Sequence, residues 1–103
     1  MNWDRFAVRT AEYKGSRLVN ICDEELLGRT VTEGKLKVHL SPDFYSGENV
    51  DTADALKLIR LCAIVNLAGK RVVSLALENR IGAKEAVREI EGVPFLMIYK
   101  FLR

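Results

Sequence analysis

The stretch DTADALKLIRLCAIVNLAG, residues 51–69, constrains the fold more than any other part of the chain. Asp51 or Thr52 can cap a helix, because a short side-chain oxygen there accepts from the free N–H groups of a first turn. Asp54 places negative charge at the positive end of the helix dipole, and Gly69 is a natural stop. In the first half, Lys57 and Arg60 mark a polar side at helical spacing. The second half, LCAIVNLA, is apolar nearly all round, as befits a segment packed on more than one side. The pattern predicts one long helix over 51–69 at the centre of the core.

Around it the chain alternates with the period of strands. FAVRTAEY at 6–13, the KGS turn at 14–16 and RLVNIC at 17–22 predict an antiparallel hairpin. KLKVHLS at 35–41 sends Leu36, Val38 and Leu40 one way and Lys35, Lys37 and His39 the other. DEELLG at 23–28 reads as a short helical turn that begins at Cys22 or Asp23. Glu24 and Glu25 stand near its positive end, Leu26 and Leu27 turn inward, and Gly28 stops it. DFYSGENV at 43–50 is a loop. KRVVSLALENRIG at 70–82 fits both periods; good helix formers and the stop at Gly82 favour a helix. Residues 83–92 read as a short helix or as a turn plus a strand. VPFLMIYKFL at 93–102 is a strand whose unbroken apolar run predicts a central place, covered on both faces. The expected fold is α+β: a single two-layer domain over 1–103, mostly antiparallel sheet, with one long central helix and shorter helices packed on it.

Several functions are disfavoured by residue counts. A chain of 103 residues that is 49% hydrophobic and 29% charged can bury one core without metal or disulfide staples. Cys22 and Cys62 form no CxxC pair, which points to free thiols in a reducing cytoplasm. No apolar run reaches the ~20 residues of a membrane span, and MNWDRFAVRT is not a secretory start. CDEE at 22–25 invites a metal reading, but zinc wants clustered Cys and His, and calcium wants oxygens at alternating loop positions. No metal and no cofactor is expected. A Cys22–His39 nucleophile pair, oriented by Asp23 or Glu24, is conceivable but required by nothing. Cys62, among Leu61, Ala63 and Ile64, reads as a small hydrophobe. No glycine-rich phosphate loop is present.

CDEELLGRTVTEG, FYSGE, NLAGKRVVSLALENRIG and EGVPF follow one another in an order that resembles the archaeal domain-of-unknown-function family 424. The resemblance spans about residues 18–98. It departs from the family's usual FYGGE at FYSGE, and from its common His after GVP at Phe95. The resemblance implies a compact α+β domain from an archaeal cytoplasm, with an association with RNA and translation and no established reaction.

The net charge of +2 is too small for nonspecific duplex binding, and no DNA specificity is evident. Residues 70–103 nonetheless carry seven Lys/Arg against four Asp/Glu. The sequence therefore predicts a noncatalytic cytoplasmic domain whose partner is RNA or a ribosome- or translation-associated protein. Its expected contacts are Arg29, Lys35, Lys37, Tyr45, Lys70 and Arg71, with Phe44 folded into the core. A protein–protein adaptor is the second reading. The third is an enzyme pocket lined by Phe44, Glu48, Asn66 and Phe95, although Asn66 reads more simply as a buried amide bonded to the nearby loop.

Overall fold

Alternating sequence turns into strands almost throughout. The computed structural model describes residues 5–45 and 47–100. The strands are β1 (Phe6–Tyr13), β2 (Ser16–Asp23), β3 (Thr30–Glu33), β4 (Leu36–His39), β5 (Glu48–Val50), β6 (Ile64–Ala68), β7 (Arg88–Ile90) and β8 (Val93–Tyr99). The helices are α1 (Pro42–Tyr45), α2 (Thr52–Leu61) and α3 (Lys70–Glu78), with 3₁₀ turns at Glu24–Leu26 and Lys84–Ala86. Six strands form one sheet in the order β5-β1-β2-β6-β8-β7, and β3 and β4 form a separate ribbon. All pairings are antiparallel except β2 with β6.

The expected β1–β2 hairpin is present, with Tyr13 opposite Ser16. Its turn puts Lys14 at φ 50° and Gly15 at φ 81°, the paired left-handed conformation that matches the twist of a tight hairpin. The expected helix at 70–79 is α3. Residues 83–92 resolve as turn plus strand, with β7 after a 3₁₀ turn. The loop expected at 43–50 contains α1 and β5, and β5 extends the sheet by pairing with β1.

The long central helix is not there. α2 begins as expected, with Asp51 Oδ1 accepting from Asp54 N at 2.9 Å, and ends at Cys62, where the backbone becomes extended. Ile64–Ala68 then runs as β6 between β2 and β8. A buried helix and a strand covered on both faces share the same all-round apolar pattern. β-Branched Ile64 and Val65 tip this one to strand. The side chain of Lys100 closes the end of α2 by donating to the carbonyls of Ile59 and Arg60.

The core has two halves, one on each side of the sheet. On one side, Val8, Val19, Ile21, Val65, Leu67 and Leu96 pack under Ala55 and Ile59 of α2 and Val72, Val73 and Ala76 of α3. On the other, Ala7, Cys22, Ala68 and Val93 pack under Val31, Leu40 and Tyr45 of the ribbon and α1. The two-layer expectation thus gains a partial third layer. That layer leaves the far end of its side bare: Met97 and Tyr99 of β8 are exposed, so β8 is not covered on both faces as its apolar run suggested. Among the described residues, no helix is long and apolar enough to cross a membrane.

Candidate functional site

The acidic run after Cys22 ties three elements together. Asp23 ends β2, and its carboxylate accepts from the backbone N–H groups of Arg71 and Val72, each at 2.9 Å. It therefore caps α3 from across the sheet, rather than the 3₁₀ turn that follows it, where it makes no side-chain bond. Gly69 precedes α3 at φ 120°, and a Cβ there would lie 2.4 Å from the Asp23 carboxylate. Glu25 grips the Arg71 guanidinium, with Nη2–Oε1 at 2.7 Å and Nε–Oε2 at 3.1 Å. Arg71 Nη2 also donates to the Arg5 carbonyl at 2.9 Å, and its guanidinium stacks 4.6 Å above the Phe6 ring. Glu24 accepts from Asn49 Nδ2 at 2.7 Å, fastening β5.

Electrostatics at this corner do not favour catalysis. Burial, and then the neighbouring Asp23 and Glu25 charges, push the Cys22 thiol up to about 12, so it is no thiolate nucleophile at neutral pH. Its Sγ donates to the Asp23 carbonyl, whereas His39 Nδ1 lies 2.9 Å from Thr30 Oγ1. The conceivable Cys22–His39 pair is not assembled. Burial raises Asp23 despite its two N–H partners, and the Arg71 hydrogen bonds hold Glu25 below the usual carboxylate range.

The bare part of the sheet differs in composition. Strand register places three rows of side chains on the side opposite α2 and α3. The first is Ala11, Leu18, Ile64 and Tyr99; the second is Arg9, Asn20, Asn66 and Met97; the third is Ala7, Cys22, Ala68 and Phe95. The ribbon and α1 cover the third row. The first two stay largely open. Tyr13 stands at their margin, 54% exposed, with Met97 at 55% and Tyr99 at 58%. Phe44 of α1 overhangs this side at 50% exposure. The charged side chains that the six strands turn this way are Arg9 and Arg88, and no carboxylate among the described strand residues accompanies them. Lys14 adds a cation 5.4 Å from the Tyr13 ring.

A cleft of about 320 Å³ opens where Phe44, Asn66, Arg88, Phe95 and Met97 meet. Three of the four expected pocket residues, Phe44, Asn66 and Phe95, line it. Glu48 instead borders a separate depression with Val8, Arg9 and Thr10. Asn66 reaches the loop only through a relay: its Nδ2 donates to Asn20 Oδ1 at 2.8 Å, and Asn20 Nδ2 donates to the Phe44 carbonyl at 3.2 Å.

The expected contact residues are dispersed. Tyr45 is buried at 6% exposure, with its hydroxyl pushed up to about 12 by burial, while Phe44 takes the surface. The expected roles of these two aromatics are exchanged. Arg71 is held by Glu25 and Arg5. Arg29 and Lys70 line another cleft, of about 310 Å³, where Asp23 and Glu91 offset their charge. Lys35 lies in the ribbon turn, and Lys37 faces Thr32 on its outer side. Tyr13, Tyr99, Met97 and Arg9 were absent from the expected set. Their signal was period two: Arg9, Ala11 and Tyr13 share a side of β1, as do Phe95, Met97 and Tyr99 on β8.

The model of a family described as proteins of unknown function, DUF424, matches residues 11–101. The fold is similar to that of an uncharacterized conserved protein from Methanopyrus kandleri, with a TM-score of 0.80 and 23% sequence identity over 96% of this chain and 94% of that one. No curated protein matches.

Proposed function

For a chain that belongs to DUF424, a family of proteins of unknown function, we propose that the open side of the sheet binds single-stranded RNA without performing chemistry on it. One observation carries this reading: exposed Tyr13, Tyr99, Phe44 and Met97 share a surface with Arg9 and Arg88, and no strand carboxylate faces them. Aromatic rings on a sheet stack with unpaired bases, and arginines pair with the phosphates between them. Tyr13 lies three strands over and two residues along from the row of Tyr99, so about 16 Å separates them at ~4.8 Å per strand and ~3.4 Å per residue. That suits a short run of splayed nucleotides. Ribosomal RNA and tRNA are the first natural ligands to try, because the family resemblance implies an association with RNA and translation.

The test is fluorescence anisotropy with labelled RNA decamers at low salt. Tyr13→Ala and Tyr99→Ala together should weaken binding at least tenfold, since stacking contributes ~1–3 kcal/mol per base. Lys70→Ala, at the start of α3, should change it little. Failure to bind single-stranded RNA, tRNA or ribosomal RNA at low salt overturns the reading. A stoichiometric protein partner that survives nuclease and is lost with the two tyrosines would assign the same surface to protein docking.

A further inference from the structure

Resting on the RNA reading above, we infer that the cleft between Phe44, Phe95, Met97 and Arg88 takes one nucleobase and selects bases that present an N–H donor on the pairing edge, through Asn66 Oδ1. The direction of the amide relay fixes the chemistry. The Phe44 carbonyl can only accept, so Asn20 must present its Nδ2 there and its Oδ1 to Asn66. Asn66 must then donate to Asn20 through Nδ2, which leaves Oδ1 on the other side of its amide. Asn66 Oδ1 is a buried acceptor without a hydrogen-bond partner among the described residues. Asn66 also lines the cleft.

A buried acceptor left unpaired is costly, and a ligand that brings an N–H to it removes that cost on binding. Adenine and cytosine offer an exocyclic amine and uracil its ring N3–H, whereas unsubstituted purine has no pairing-edge donor and would set its ring N1 acceptor against Oδ1. A site built to pair a polar group rejects an analogue lacking it more strongly than an apolar pocket rejects a change of size. The surroundings suit a base. Phe44 and Phe95 supply ring faces, Arg88 supplies a cation for the adjoining phosphate, and about 320 Å³ admits a purine. Met97 stands directly opposite Asn66 in the ladder and is largely exposed. Its unbranched thioether can adapt to pack on the base.

The experiment compares labelled decamers of adenylate, cytidylate, uridylate and purine riboside, the last being adenylate without its amine, by anisotropy at one salt concentration. Adenylate, cytidylate and uridylate should each bind about tenfold tighter than purine riboside, so removing the amine from adenylate should lose about tenfold. Asn66→Leu should bring all four to the purine riboside level. The purine riboside comparison uses the native chain, so it decides the matter even if Asn66→Leu disturbs the fold. Equal affinity for all four decamers overturns the inference and leaves the RNA reading standing. Absence of binding to any decamer overturns both.

Discussion

Single residues at the end of β2 show how an apparent active site becomes a structural joint. In CDEE each side chain has a different partner: Asp23 takes the amides of α3, Glu25 takes Arg71, and Glu24 takes Asn49. Gly69 gives way to Asp23, since any Cβ at φ 120° would collide with its carboxylate. Gly69→Ala should therefore cost more than ~2 kcal/mol, combining left-handed backbone strain with loss of the cap. Chemical denaturation checks this, and Asp23→Ala should produce a comparable loss. Glu25 gives a pH signature. Its folded pKa is depressed from 4.5 by Arg71, so its contribution is present above about pH 4.5 and fades as pH falls through the lower folded value. Because this carboxylate is half exposed, the contribution is at most ~1 kcal/mol. Wild type should exceed Glu25→Gln in stability at pH 7, and the difference should shrink as pH falls below about 4.5. A constant difference across that range would show that the ion pair is not its source.

Elements were legible where their period was unambiguous. The β1–β2 hairpin and the alternation in β4 follow from local pattern, because side-chain period and turn chemistry agree there, whereas 70–82 fits both periods and its helix α3 follows from good helix formers and the stop at Gly82. The failure at 51–69 has a physical source. β6 is sandwiched between α2 and α3 on one side and, at Ala68, the ribbon on the other, so it lost the alternation that would distinguish it from a helix. The end of α2 also depends on Lys100, forty residues away, which no local pattern shows. Lys100→Met keeps the aliphatic stem but removes the donors to Ile59 and Arg60. It should cost about 1 kcal/mol and speed hydrogen exchange in the last turn of α2, including the Cys62 amide, without altering the sheet. The candidate site was half legible. Phe44, Asn66 and Phe95 were identified and do converge, but the open face is assembled from β1, β6 and β8, whose adjacency follows only from strand order.

The molecule as a whole is one-sided. α2 and α3 close one side of the sheet, whereas the ribbon and α1 close only part of the other. Binding should therefore be confined to the open part, and Met97 is placed to report it. Its sulfur is carried on an exposed side chain between the row of Ile64 and Tyr99 and the cleft beside Phe95. Exposed methionines oxidise to sulfoxide, and an occluding ligand slows the reaction. Mild peroxide should oxidise Met97 readily in the free protein, and saturating single-stranded RNA should slow it severalfold by peptide mass spectrometry. The protection should fade as salt is raised, because RNA contacts that release phosphate counterions weaken with ionic strength. Arg9→Ala should lower the slope of log affinity against log salt by about 0.7, the value for one phosphate on a single strand. RNA that binds without protecting Met97 would lie elsewhere on the surface, with the Arg29 and Lys70 cleft the next place to look.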